Sequence, residues 1–175
     1  MPCTAGYSPE GHSVWYGYGR IDAGLAVENA RKAGAAQSSS VEGAVRFAST
    51  GEVRLQSGGM LTGNFQPARK VLGFQLSIKP SVPGLQIRYK ANVPGVGIVE
   101  SQQEGQYIGA ANGRQRIIGF AMQLEGAAAQ KFDLEYTARL QGVGTPAVGK
   151  NGTWCGTEKK SGKTVQALSI RLREK

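Results

Sequence analysis

Glycines spaced by four recur three times in this chain, as Gly59-Met60-Leu61-Thr62-Gly63, Gly105-Gln106-Tyr107-Ile108-Gly109 and Gly152-Thr153-Trp154-Cys155-Gly156, and Leu61, Tyr107 and Trp154 occupy the matching middle positions. An aromatic ring beside a flexible turn is a platform on which a sugar face or a base stacks. The competing reading makes all three side chains plugs beneath a turn, and Leu61, a poor platform, favours it. A second set of residues offers charge instead: Arg88, Lys90 and Arg139 stand on the polar side of alternating stretches, as a face for an anionic polymer would require.

Groups able to make or break covalent bonds are scarce. His12 and Ser13 are adjacent, and adjacent strand residues point to opposite faces, so the imidazole is badly placed to take the hydroxyl proton and reads as structural. Gly144-Thr145-Pro146-Ala147-Val148-Gly149-Lys150 follows the phosphate-loop spacing but continues with Asn151, where Ser or Thr would hold magnesium. Cys3 and Cys155 allow one disulfide at most. Neither they nor His12, the only histidine, have metal-site spacing. No metal, cofactor or catalytic residue is expected.

Charge is unevenly distributed along the 175 residues. The net charge is +9, yet residues 1–40 balance Arg20, Arg31 and Lys32 against Glu10, Asp22 and Glu28, so the whole excess lies in residues 41–175. Such a field favours anionic partners. No run of about 18 apolar residues occurs, so no transmembrane helix is expected. The N-terminus, Met1-Pro2-Cys3-Thr4-Ala5-Gly6, lacks the basic and apolar regions of a secretory signal, an absence without meaning for a fragment.

The elements that must position these side chains also repeat. The glycine pairs begin at 59, 105 and 152, and apolar alternations centred on Phe74, Phe120 and Leu168 follow them, a period of about 46–48 residues. Val45-Arg46-Phe47, Ile87-Arg88-Tyr89 and Leu134-Glu135-Tyr136 stack as the openings of the three units. Leu85, Ile87, Tyr89, Ala91 and Val93 alternate with polar residues, as do Phe132, Leu134, Tyr136, Ala138 and Leu140, which predicts half-buried antiparallel strands around a shared core. Gly73, Gly119 and Ala167 on the closing strands predict close approach of a neighbouring segment. The expected fold is all-β: a pseudo-threefold antiparallel domain over 41–175, prism-like or alternatively a β-trefoil, with units of about 41–80, 85–125 and 131–173. Its three equivalent loop clusters are places where lectin-like modules commonly hold sugars.

Ahead of it, Asp22 as N-cap, the stripe Ile21, Leu25, Ala26 and Ala30, and Gly34 as terminator predict a short N-terminal helical segment. A helix of that size needs a larger body to pack on. Ala35-Ala36-Gln37-Ser38-Ser39-Ser40 reads as a flexible linker. The run Gly11-His12-Ser13-Val14-Trp15-Tyr16-Gly17-Tyr18-Gly19-Arg20-Ile21-Asp22-Ala23, with Ala26-Val27 and Ala30 after it, resembles the C-terminal end of the catalytic domain of subtilisin-like serine proteases. The resemblance covers about residues 7–33 and implies that residues 1–34 are the remnant of such a domain. The Asp, His and Ser settings of the triad are missing: Asp22 precedes Ala, Asp133 precedes Leu, and His12 precedes Ser13. The catalytic groups would lie upstream of Met1, so this chain should be inactive although the parent would be a serine endopeptidase.

The repeat units resemble clostridial hydrophobic-tryptophan repeats of secreted and surface proteins of bacteria, through Tyr89-Lys90-Ala91, Tyr136-Thr137-Ala138 and Cys155-Gly156-Thr157. They depart from them at Ile98 and Thr145, where the family has tryptophan. The two resemblances imply a secreted or cell-surface protein whose β domain binds an extracellular polysaccharide or an anionic cell-surface polymer, with the upstream protease domain as a further partner. Nucleic acid is disfavoured, resting on charge alone. The rival reading is a structural or maturation module that packs on the protease without a ligand.

Overall fold

The computed structural model describes residues 12–13, 17–18, 39–55, 58–60, 62, 70–110, 114–159 and 162–175. The chain divides into two compact units, 1–38 and 39–175. In the first, β1 (His12–Ser13) pairs antiparallel with β2 (Gly17–Tyr18). The expected helix over 22–34 and most of the 35–40 linker lie outside the described residues.

The second unit is all-β and antiparallel. Its strands are β3 (Ser40–Phe47), β4 (Gly51–Arg54), β5 (Val71–Lys79), β6 (Gln86–Val93), β7 (Gly97–Glu100), β8 (Ile108–Gly109), β9 (Gly119–Glu125), β10 (Phe132–Leu140), β11 (Ala147–Lys150), β12 (Cys155–Gly156) and β13 (Val165–Glu174), with one 3-10 turn at Ala129–Lys131 before β10. They form three separate sheets, none closed into a barrel: β4-β3-β5-β8, β12-β9-β6-β7 and β11-β10-β13, called sheets I, II and III. Among the described residues, no helix is long and apolar enough to cross a membrane.

Period-two alternation explains why these segments become strands with one buried face. Leu85, Ile87, Tyr89, Ala91 and Val93 are all buried, as are Leu134, Tyr136 and Ala138, while the residues between them are exposed or only partly covered, except Asn92, which is buried with its Nδ2 donating to the Thr157 and Lys159 carbonyls. The inward faces meet in one cluster, through which runs an aromatic chain: Tyr89 to Phe74 at 5.6 Å, Phe74 to Phe120 at 5.7 Å and Phe120 to Tyr136 at 5.8 Å between ring centroids.

The three units are joined by exchange. The short strand β8, from unit two, adds to the edge of β5 in sheet I, and β12, from unit three, adds to β9 in sheet II. Thr62, from unit one, bridges to Leu168 on β13 in sheet III. Each unit therefore lends a segment to the sheet of the unit before it, and unit one lends to unit three. This explains the small residues on the closing strands. A Cβ on Gly73 would meet Tyr107 Oη at 2.1 Å, and one on Gly119 would meet the Thr157 carbonyl at 2.3 Å. It also explains the second glycine of the pairs in units two and three, Gly109 and Gly156, since a Cβ on Gly156 (φ 93°) would stand 2.6 Å from the Ile118 carbonyl.

The registers correct one sequence alignment. Val45 and Ala91 are equivalent, because Val45 faces Phe74 and Val53 just as Ala91 faces Phe120 and Val99. Stacking Val45 on Ile87 slips unit one by four residues. A slip by an even number keeps every apolar residue on the same face, so alternation does not detect it. With the slip removed, Gly43 stands where the other units carry Tyr89 and Tyr136.

Candidate functional site

The outward face of sheet II carries a cleft of about 270 Å³ whose lining includes Arg88, Lys90, Glu100, Gln102, Gln123 and Glu125. Strand alternation positions the two cations, since Ile87, Tyr89 and Ala91 turn inward and leave Arg88 and Lys90 outward. Register positions their partners: Lys90 stands opposite Glu100 on β7 and Ala121 on β9, and Arg88 stands opposite Gln123. The small Ala121 leaves room between longer neighbours.

Each cation has its own carboxylate. Arg88 Nε donates to Glu125 Oε2 at 3.1 Å and Arg88 Nη1 to the Ser101 carbonyl at 3.3 Å, while Gln123 Nε2 donates to Glu125 Oε1 at 2.9 Å. Lys90 Nζ lies 3.9 Å from Glu100 Oε1 and 5.4 Å from the centroid of the Trp154 ring. Partly exposed pairs of this kind contribute about 0–1 kcal/mol each to stability, so they are weak reasons for the fold. Their effect is on the character of the cleft, which carries two positive and two negative groups and no net charge.

Trp154 reaches this face because it immediately precedes β12, the strand that unit three lends to sheet II. It is half-buried and meets the cleft through Lys90, while Gly152 forms part of the cleft wall. The arrangement thus joins Arg88, Lys90 and Trp154 from the expected site residues. Tyr107, the equivalent residue one unit earlier, lies against Gly73 in sheet I instead, with its hydroxyl buried and no partner at hydrogen-bond geometry. Burial pushes its pKa up, the nearby Arg46 guanidinium opposing the shift. It acts as a plug. Arg139 lies on β10 in sheet III, where its Nη1 donates to the Gly144 carbonyl at 2.7 Å. Leu61 lies outside the described residues.

Glu100, Gln102, Gln123 and Glu125 were not expected as site residues. Glu100 was findable, because counting back across the Val93-Pro94-Gly95-Val96-Gly97 turn sets it opposite Lys90. The other two units place different chemistry on the same scaffold. Where sheet II has Arg88 and Glu125, sheet III reverses the signs as Glu135 and Arg173, 3.6 Å apart. Lys90 is replaced by Thr137 in sheet III and by Ala44 in sheet I, and Glu100 by Val148 and Arg54.

Cys155 is fully buried, its thiol pushed up to about 12 by burial and donating to the Ala147 carbonyl, so it is a poor nucleophile. No group of three or more His, Cys, Asp or Glu among the described residues is arranged to hold a metal ion. The arrangement suits reversible binding of a polar molecule. No family model, no curated protein and no solved structure matches the chain.

Proposed function

We propose that residues 39–175 are a three-sheet, prism-like adhesion module that binds an extracellular polysaccharide or cell-surface polymer on the face of sheet II. We read the chain as the non-catalytic C-terminal portion of a secreted subtilisin-like serine protease, on the resemblance at residues 7–33. The separate sheets, joined by exchanged segments, support the prism over the trefoil. The observation that carries the binding role is the cleft, a floor of hydrogen-bond donors and acceptors whose Lys90 lies 5.4 Å from the centroid of the neighbouring Trp154 ring. Ligand sites pair a surface for contact with a few placed polar groups, and this is the face that has both.

The test is retention of the purified chain on insoluble bacterial wall polysaccharide, compared with Trp154→Ala. Retention of the parent and loss of about 5-fold or more in the variant is the expected result, since removing a stacking ring from a binding site costs on the order of 1 kcal/mol or more. Equal retention of the two proteins would remove this face as the binding site.

A further inference from the structure

The chemistry of the sheet II cleft narrows its ligand further. We infer that it takes an uncharged, polyhydroxylated saccharide segment and discriminates against anionic polymers, despite the net positive charge of the domain. This rests on the polymer-binding reading of the same face.

Net charge describes the domain as a whole, whereas a ligand in the cleft meets the groups that line it. There, Arg88 is held by Glu125 at 3.1 Å and Lys90 lies 3.9 Å from Glu100. A uronate or phosphate entering the cleft would gain two cations and be opposed by two carboxylates at similar range, so its Coulombic gain is largely cancelled. Neutralising the carboxylates first would cost the pairs already formed.

A sugar hydroxyl faces no such conflict, because it donates and accepts at once. Arg88 has five N–H donors and spends them on Glu125 Oε2 and the Ser101 carbonyl in part only, and Lys90 has three. Glu100 and Glu125 keep acceptor capacity beyond their present bonds, and Gln102 and Gln123 supply both kinds of group. Neighbouring hydroxyls on one ring can therefore bridge a carboxylate on β7 or β9 to a cation on β6. The apolar C–H face of the ring would lie toward Trp154, whose indole is already arranged to attract partial positive charge, as the Lys90 ammonium over it shows. At about 270 Å³ the cleft is near the lower limit for small-molecule sites, which fits a short segment of a chain and not an extended groove.

The experiment is calorimetric titration of the full chain with uncharged oligosaccharides of glucose, galactose, mannose, xylose and N-acetylglucosamine, with oligogalacturonate as the anionic probe, each at low and high salt. The expected result is binding of at least one uncharged oligosaccharide with little salt dependence, weakened about 5-fold or more by Trp154→Ala. The double variant Glu100→Gln, Glu125→Gln lies on the surface and should fold. It should weaken the uncharged ligand and gain salt-sensitive binding of oligogalacturonate. Binding of oligogalacturonate alone by the parent, falling steeply with salt, would overturn the selectivity and leave a polymer-binding face. Binding of none of the probes would overturn both the selectivity and the adhesion reading beneath it.

Discussion

The seam between units two and three and the seam between units three and one follow the same backbone plan with different side chains. At the first, Tyr136 donates its hydroxyl to the Thr153 carbonyl and accepts from the Met122 amide, and Asn151 Oδ1 accepts from the Leu134 amide at 2.8 Å. The seam between units one and two repeats this closely: Tyr89 bridges the Gln106 carbonyl and the Leu76 amide, and Glu104 Oε1 accepts from the Ile87 amide at 3.3 Å. At the seam that closes the ring, Gly43 and Gly58 stand at the equivalent positions. There Thr62 and Leu168 exchange two backbone hydrogen bonds, at 2.8 and 3.2 Å, and Arg171 reaches across to the Gly58 carbonyl at 3.0 Å. A tyrosine cannot simply be restored at Gly43, because any Cβ there would stand 2.0 Å from the Gln75 carbonyl. Main-chain pairing is thus the common element of the three seams, and the buried phenol is a reinforcement present in two.

If the phenols carry the reinforced seams, the largest effect should come from Tyr136→Ala, which empties a fully buried site between sheets II and III. Urea unfolding should show a loss of about 3–5 kcal/mol. A loss below about 1 kcal/mol would put the reinforced seams on the same footing as the glycine seam.

A middle effect isolates the hydroxyl. Tyr89→Phe and Tyr136→Phe keep the ring but leave a carbonyl and an amide without their partner, at about 1–3 kcal/mol each. The same groups predict an alkaline signature. Burial raises the pKa of both phenols, so the folded state favours the neutral form. That contribution is complete below the ordinary tyrosine value of about 10 and is lost as pH rises through the folded-state value. The stability gap between parent and Phe variants should therefore narrow in strong alkali, and a gap that stays constant with pH would separate the hydroxyls from the seam.

The smallest effect concerns the residue that steadies Asn151. Asp133 accepts from Asn151 Nδ2 at 2.9 Å and pairs with Lys150 at 3.0 Å, and these contacts hold its carboxyl down to about 2. A lowered carboxylate stabilises the fold above about pH 4, and that contribution disappears as pH falls towards 2. Asp133→Asn should flatten the acid dependence of the thermal midpoint across this window by lowering it slightly at neutral pH and leaving it nearly unchanged near pH 2. A sharp loss at neutral pH would mean that Asp133 does more than orient the turn.

Much of the β architecture was readable in the chain. Ile87, Tyr89 and Ala91 could be assigned to the core because alternation is a local property of consecutive residues. Gly73 and Gly119 announced a close approach. The register of unit one was not readable, since a four-residue slip leaves Val41, Val45 and Phe47 on the same buried face. Of the candidate site, the outward placement of Arg88 and Lys90 was readable, but Tyr107 and Trp154 looked alike and came to differ, one lying against Gly73 in sheet I and the other beside Lys90 on sheet II.

By itself, then, the sequence determined an antiparallel β chain with its excess positive charge confined to residues 41–175, because composition and periodicity are carried by near neighbours. Only the tertiary structure decided that Trp154 serves the face of unit two, that Arg88 meets Glu125, and that Gly43 faces the closing seam. The placing of Trp154 and of the closing seam arises when each unit lends a segment to the sheet before it, and pairing between segments far apart in the chain leaves no trace in the alternation of either.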